Sequence, residues 1–344
     1  MSHTHRAVML LSALALTACG GGGGGGGASP AGGSSVVATP APTPTTPAAS
    51  AASGADPVVP PADAASSGSV ACTAGDAPQA RAAAFSLINV TREALGLPAL
   101  TRASAVDAVA QAHAQYAVAN GTTGSDEVQG KPCYTGATLA QRLAGAGVVD
   151  VEAPGRRSRS EFLLSYTVAG ADAQPWDYVT DTLSALYGRM ALLDPRLQQV
   201  GVGFSSVSGQ RAMVLDTALQ SGAVNAGSDT WVVWPRDGAS GLATRLRTAD
   251  LRPLAQVTEG YPVTLHAAAA VQVSRFVLST ASDGAAVAAA VVTRANDRNG
   301  FLAEGEAALL PLAALKPGTA YRAEFDGSVG STPVHLAWSF TTAP

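Results

Sequence analysis

The sequence predicts an α+β protein in which a helix-rich unit precedes an antiparallel β-sandwich. Three observations predict this class. Apolar residues recur at helical spacing in several segments between residues 79 and 193. The period then changes to two, because Val200, Val202 and Phe204 alternate with glycines. From residue 228 onward, short β-rich runs are separated by Gly, Pro, Asp and Asn, which is typical of a sandwich.

Residues 1–19 resemble a bacterial lipoprotein signal peptide. An apolar run from Ala7 to Leu16 is too short to span a bilayer as a helix. It ends in LTAC, which resembles a lipobox, so we expect Cys19 to be acylated and to anchor the protein stably in the membrane. Gly20 at the next position indicates an outer-membrane destination where the cell has one. The alternative is an ordinary signal peptide with an incidental Cys19.

Residues 20–71 are expected to form a disordered tether. They consist mainly of Gly, Ala, Ser, Pro and Thr, and such a composition buries too little apolar surface to fold. A coil of this length spans about 40 Å root-mean-square. The tether would therefore hold the folded part clear of the membrane surface.

The first folded unit is expected over residues 72–222 and begins with two helices. The first, near 79–95, ends at a Gly-Leu-Pro turn, where glycine supplies the left-handed stop and proline blocks continuation. Thr101 or Ser104 can cap the second helix, which ends before Gly121. A Gly-Leu-Pro turn is therefore predicted to join the two helices.

Two further helices and a hairpin complete this unit. Thr138 can cap a third helix, and a fourth carries one apolar face over residues 176–193. Residues 200–204 then alternate with period two, and after a Ser-Gly turn residues 211–219 are predicted to form the next strand. These two segments are expected to pair as antiparallel strands.

The second folded unit is expected over residues 228–344 as a separate β-sandwich. Its ending, LKPGTAYRAEFDGSVG followed by LAWSFTT, resembles the end of bacterial Ig-like modules. That resemblance implies a spacer or a binding module, and the segment contains no recognisable catalytic constellation.

Three stretches of the first unit resemble one known family in their order. They are FSLINVTREALGLPALTRASAVDAVAQAHAQY (85–116), YTGATLAQRLAGAG (134–147) and YGRMALLDPRLQQVGVGF (187–204). Together they resemble the CAP superfamily of SCP-like domains, in its bacterial secreted form, over roughly residues 78–218. The resemblance implies an α-β-α sandwich with a central cavity, often lined by two histidines and two acidic residues that can hold a divalent metal.

This chain departs from the family at both cavity histidines. Ser125 or Asp126 stands where one is expected, and Gly188 replaces the other. Glu161 corresponds to one of the acidic positions. Because imidazole is the usual neutral ligand of zinc, nickel or copper, we expect no transition-metal site and no cofactor. Oxygen ligands from Glu161, Asp126 and Glu127 would hold only hard cations, and weakly.

His113 is the one histidine of the CAP-like segment. It shares a helical stripe with Val106 and Val109, so it is predicted to be a hydrogen-bonded core residue rather than a ligand. The family pattern also has a histidine there, outside its cavity tetrad. A triad of Ser125, His113 and Glu161 is conceivable, but the core position of the histidine argues against it.

The remaining two cysteines, Cys72 and Cys133, form an even pair in an exported chain. An oxidising compartment favours a disulfide between them, with Cα atoms about 4.4–6.8 Å apart. Two free thiols or a redox pair are the alternative, and no C-x-x-C spacing supports them.

Composition and motifs limit the function classes. A formal net charge of −4 on an exported chain argues against a nucleic-acid partner. Neither G-x-S-x-G nor H-E-x-x-H occurs. We therefore expect an envelope-tethered, non-catalytic lipoprotein that binds an envelope component or partner, with the membrane contacted through the lipid. A lipid or other small apolar ligand in the CAP cavity is the alternative, which the sterol and lipid binders of the family suggest. A hydrolase is the weaker alternative.

Overall fold

The computed structural model describes residue 72 and residues 75–148, 159–167, 174–218, 227, 229–246, 253–255 and 258–344. The predicted signal peptide, Cys19 and the predicted tether lie outside these residues. Over the described ranges, no helix is both long and apolar enough to cross a membrane.

The described chain up to residue 218 contains five helices and four strands. The helices are α1 (Pro78–Glu93), α2 (Ser104–Asn120), α3 (Leu139–Gly145), α4 (Pro175–Ser184) and α5 (Leu186–Leu192). The strands are β1 (Thr101–Arg102), β2 (Arg159–Thr167), β3 (Gln199–Val207) and β4 (Gln210–Ala218).

The four strands form one sheet in the order β1-β3-β4-β2, with helices on both faces. Because neighbouring residues of a strand point to opposite faces, the two faces carry different side chains. Val202, Phe204 and Leu215 pack against α1, α4 and α5. Leu163 and Val214 pack against the alanines of α2 on the other face. The predicted α-β-α sandwich is therefore confirmed.

Helix α2 lies unusually close to β3, and the glycines of β3 permit this. A Cβ atom at Gly201 would lie 2.4 Å from the carbonyl oxygen of Val106. A Cβ atom at Gly203 would lie 2.1 Å from the carbonyl oxygen of Ala110. Both distances are far below van der Waals contact, so the alternating glycines of the sequence mark the positions where helix backbone meets strand backbone.

The same helix protects the edge of β3. Strand β1 pairs with β3 only at two positions, which leaves later backbone groups of β3 without a neighbouring strand. Asp107 Oδ1 accepts a hydrogen bond from Val202 N at 2.8 Å. Gln111 accepts one from Phe204 N at 2.9 Å and donates one to Phe204 O at 3.0 Å. Side chains of α2 thus replace the missing strand partner.

Arg92 on α1 connects the turn that follows α1 with the turn that follows α5. It is fully buried and donates to the carbonyl oxygens of Pro98, Leu192 and Asp194 at 3.0, 2.7 and 3.0 Å. Burial lowers the pKa of Arg92 to about 10, although the Asp194 carboxylate acts in the opposite direction. The guanidinium therefore links the turn after α1 to the turn after α5.

Several predicted element ends are confirmed and two are wrong. Thr138 caps α3 by accepting from Gln141 N, and Gly121 ends α2 with φ of 62°. The cap of α2 is Ala103, without a side-chain bond, because Thr101 belongs to β1 and Ser104 is already helical. The predicted fourth helix is two helices, because the backbone at Ala185 is extended.

The C-terminal region consists of nine strands over its described residues. They are β5 (Trp231–Trp234), β6 (Ala239–Leu242), β7 (Val263–Ala267), β8 (Val271–Thr280), β9 (Ala286–Val287), β10 (Ala289–Thr293), β11 (Glu306–Pro311), β12 (Ala320–Val329) and β13 (Thr332–Thr342).

These strands form two sheets, in the orders β10-β11-β7-β5 and β6-β13-β12-β8-β9. All pairs are antiparallel except β13 with β6. Inward side chains of both sheets, including Leu265, Phe276, Leu309 and Phe325, share one apolar cluster. The region is therefore a predominantly antiparallel β-sandwich, as predicted.

Candidate functional site

The four predicted cavity residues do not meet at one point. Glu161 is buried on the α2 face of the sheet. Ser125 is buried in the loop after α2, whereas Asp126 in the same loop is exposed. Gly188 lies on α5, which packs on the opposite face of the sheet from Glu161.

Instead, Glu161 belongs to a buried cluster of five ionisable side chains, which we call the polar cluster. Its members come from α2, the following loop, α3, β2 and β4. They are His113, Glu127, Arg142, Glu161 and Asp216. Glu161 and Asp216 are direct cross-strand partners, so their side chains leave the sheet side by side under α2.

His113 stands between two carboxylates. Its Nδ1 atom is 2.9 Å from Glu127 Oε1, and its Nε2 atom is 3.5 Å from Glu161 Oε1 without forming a hydrogen bond. Both ring nitrogens therefore face acidic side chains. The catalytic triad of Ser125, His113 and Glu161 is not formed. The Nδ1 atom of His113 is hydrogen-bonded to Glu127, and its Nε2 atom has no hydrogen-bond partner. The predicted structural role of His113 agrees with this position.

Glu127 is held by backbone groups as well as by His113. Its Oε2 atom accepts hydrogen bonds from Thr135 N at 2.6 Å and from Gly136 N at 3.2 Å. Burial alone would raise the pKa of Glu127, but these bonds, His113 and the Arg142 charge together lower it. Glu127 is thus an ionised anchor for the loop, and its oxygens are already engaged by the backbone and by His113.

Arg142 on α3 joins the loop to the sheet. Its Nη1 atom donates to the carbonyl oxygens of Ser125 and Gly136 at 3.0 and 3.2 Å. Its Nη2 atom donates to Glu161 Oε2 at 2.5 Å. The guanidinium therefore neutralises Glu161 while satisfying two buried carbonyls, which is the geometry that makes a buried ion pair tolerable.

Asp216 has the most perturbed environment of the cluster. Burial raises the pKa of Asp216 well above its usual range, the adjacent Glu161 carboxylate raises it further, and Arg142 opposes the rise. Neither Asp216 oxygen nor Glu161 Oε1 has a conventional hydrogen-bond partner. A proton on Asp216 resolves this, because a protonated carboxyl can donate to the neighbouring carboxylate.

A divalent metal does not fit these residues. Arg142 already occupies the Glu161 carboxylate with a positive charge, and Gly188 offers no donor atom and lies on the other face. Within the described ranges, no group of three or more His, Cys, Asp and Glu side chains could hold a metal ion.

Gly188 is also closely packed. A Cβ atom there would lie 2.5 Å from the carbonyl oxygen of Thr182 on α4. A histidine at this position would displace α4. The glycine is therefore explained by the contact of two helices, which the sequence alone did not reveal.

The predicted disulfide is present. Cys72 and Cys133 are bonded, with their Cα atoms 5.4 Å apart. The bond ties the segment before α1 to the loop that carries Glu127. Cys133 has φ of 63°, so the loop turns sharply at the bond.

Sequence reasoning gave no site role to Arg142 and Asp216. Asp216 carried a usable signal, since it is a charged residue inside the otherwise apolar strand RAMVLDTAL. Arg142 carried a second signal, its fixed spacing after the Thr-Gly pair in the family-like stretch. Neither signal identified the partners, which come from five separate segments.

Comparison with known proteins agrees with this architecture. Residues 85–217 match the model of the family described as "CAP: Cysteine-rich secretory protein family". No curated protein matches the chain.

Two solved structures are similar in part. An extracellular protein of Bacillus anthracis that contains an SCP domain shares 19% identity at a TM-score of 0.32, covering 41% of this chain and 41% of that one. An outer surface protein of Borrelia burgdorferi shares 18% identity at a TM-score of 0.35, covering 42% of this chain and 96% of that one. At such TM-scores the assignment rests on the family match and on the α-β-α sandwich. Residues 85–217, which are less than half of the chain, therefore resemble a CAP domain in sequence and in fold.

Proposed function

We propose that this protein is a non-catalytic CAP-domain lipoprotein of the cell envelope, which binds an envelope component or a partner protein there. In this proposal Cys19 carries the lipid, residues 20–71 act as the tether, and the CAP domain with the Ig-like β-sandwich forms the binding part. The parts suit attachment and recognition, since the lipid fixes the location and the tether gives the folded part reach.

The burial of the polar cluster is the observation that carries the non-catalytic proposal. The side chains of His113, Glu127, Arg142 and Glu161 are exposed by 0, 0, 1 and 2%. Asp216 is also fully buried. A general acid or base has to come within hydrogen-bond reach of the substrate. These groups contact one another instead, so they support the fold.

The replaced cavity histidines support the same proposal. The position expected to supply an imidazole on α5 is Gly188, packed against α4. The loop position has Ser125, whose carbonyl oxygen is bonded to Arg142, or the exposed Asp126. The contacts at these positions are those of a packed domain rather than of a metal-dependent enzyme.

Binding is tested with the full chain carrying Cys19→Ser, which removes the lipid as a cause of sedimentation. The probes are purified peptidoglycan sacculi and outer-membrane vesicles from the producing cell. Saturable co-sedimentation that unlabelled protein competes away is expected with one of them. Binding to neither, together with no cross-linked envelope protein in intact cells, would refute the proposal.

The absence of catalysis is tested on the same two fractions. No soluble fragment should appear after prolonged incubation with the protein. Release of fragments that is lost in Glu161→Gln, while the thermal midpoint is unchanged, would show that the cluster is catalytic. Native mass spectrometry of protein purified from its own membrane covers the apolar alternative, because a bound lipid would appear there as added mass.

A further inference from the structure

A buried arginine on α5, Arg189, links the CAP domain to the β-sandwich by a hydrogen bond and two ring contacts. Arg189 Nη1 donates to the carbonyl oxygen of Pro262 at 2.7 Å, and its Nε donates to Leu183 O within the CAP domain at 2.7 Å. The guanidinium carbon also lies 4.8 Å from the ring centre of Tyr261 and 5.7 Å from that of Trp234. One fully buried cation therefore contacts both regions at once.

Tyr187, two residues before Arg189 on α5, makes a second contact with the β-sandwich. Tyr187 Oη donates to Asp297 Oδ1 at 2.6 Å and accepts from Asn299 Nδ2 at 2.8 Å. The tyrosine ring meets Phe301 edge-on, with the ring centres 5.1 Å apart. Asp297 is itself fixed, because its Oδ2 atom accepts from Leu302 N at 3.0 Å. The loop after β10 is thus built around a CAP side chain.

The apolar core is continuous across the same contact. Side chains of the β-sandwich lie in the core cluster of the CAP domain, and they are Val232, Val292, Leu302, Ala308 and Leu310. Separating the regions would expose these side chains and their partners on α5 to water. It would also remove one of the acceptors of a buried guanidinium, the Pro262 carbonyl oxygen.

We propose that the CAP domain and the β-sandwich fold and unfold as a single cooperative unit, fastened by Tyr187 and Arg189. The sandwich is then not a freely hinged spacer, although the sequence predicts a separate unit. The consequence is a fixed orientation of the two regions relative to each other. The proposal does not depend on what the protein binds.

Two spectroscopic probes separate the regions. Every described helix lies within residues 78–192, so circular dichroism at 222 nm reports mainly on the CAP domain. Three of the four tryptophans, Trp231, Trp234 and Trp338, lie in the β-sandwich. Trp176→Phe removes the fourth at a half-exposed position, and fluorescence then comes only from sandwich residues, of which Trp234 lies at the contact with Arg189. The experiment uses the full chain with Cys19→Ser.

Urea unfolding of this background should give one transition with the same midpoint for both probes. Phe325→Leu in the sandwich core should lower both midpoints equally, although Phe325 lies in a separate cluster from the CAP helices. Tyr187→Phe should also lower both equally. Thr332→Ser, at an exposed position, is the matched control and should move neither.

Two separated transitions in the background protein would overturn the proposal. So would a Phe325→Leu variant whose fluorescence midpoint falls while the midpoint at 222 nm stays. If Phe325→Leu does not fold, loss of the 222 nm signal supports the proposal and persistence of that signal overturns it. Tyr187→Phe without effect on either probe would overturn the fastening role of Tyr187.

Discussion

Replacing Asp216 by asparagine should remove a pH dependence from the stability of the folded unit. Asp216 is fully buried beside Glu161, and both burial and that neighbour favour its protonated form. Asparagine keeps the shape and carries no charge. Its amide can donate to Glu161 as the protonated carboxyl would. The variant therefore mimics the low-pH state of Asp216 at every pH.

The sign follows from the raised pKa of Asp216. An unfolded aspartate titrates near pH 4, and the folded one titrates well above that. The stabilisation that Asp216 gives is therefore fully present below about pH 4 and is lost as the pH rises through the folded pKa. Since one pKa unit corresponds to about 1.4 kcal/mol, the free energy of unfolding should fall by up to about 1.4 kcal/mol per pH unit across this window.

Urea unfolding at half-unit steps from pH 5 to pH 8 measures this effect. The free energy of unfolding of Asp216→Asn minus that of the wild type should increase steadily with pH. Glu127→Gln is the control, because the pKa of Glu127 is lowered and its stabilisation is lost only as the pH falls through that value. A constant difference between Asp216→Asn and the wild type across the whole range would show that Asp216 is not protonated in the fold.

Four further outcomes are expected. Gly203→Ala should lower the free energy of unfolding by roughly 1–3 kcal/mol in urea titrations, since its Cβ would meet the backbone of α2, and an unchanged midpoint would contradict the packing. The double variant of Cys72 and Cys133 to serine should lose about 4 kcal/mol by the chain-entropy relation, measured the same way, whereas a loss below 1 kcal/mol would contradict it. Cys19→Ser should appear in the soluble fraction or remain unprocessed, and an unmodified Cys19 thiol in the mature wild type by mass spectrometry would exclude lipidation. Zinc titration by calorimetry should reveal no site tighter than roughly micromolar in the wild type, or in Gly188→His if that variant folds, and one stoichiometric zinc retained after dialysis would refute this.

The fold class could be predicted because it depends on local periodicity. Apolar spacing marked the helices, and the alternation at Val200–Phe204 marked a strand. The break at Ala185 was not predictable, because the apolar face continues through it and only the extended backbone divides α4 from α5. The missing side-chain cap of α2 was equally hidden, since Thr101 and Ser104 are both good capping residues by type.

The candidate site was predictable only in part. The disulfide followed from two cysteines in a chain that the sequence predicts to be exported, and Glu161 followed from a family-like position. The pairing of Glu161 with Asp216 required the register of β2 against β4, which no local pattern encodes. The hydrogen bonds of Glu127 to His113 and to Thr135 likewise depend on the folded position of the loop, which no local pattern encodes.

Local patterns in the sequence were enough to predict α1, α2, α3 and the β3–β4 hairpin and to pair Cys72 with Cys133, because those properties depend on neighbours a few residues away or on residue counts. The packing role of Gly188 and the hydrogen bond from Arg189 to Pro262 depend on contacts between distant segments, so they are visible only in the folded structure. The burial of Asp216 directly beside Glu161 is likewise visible only in the folded structure. Burial and electrostatic environment are set by atoms distant in the chain, and these determine whether an ionisable side chain supports the fold or can meet a ligand.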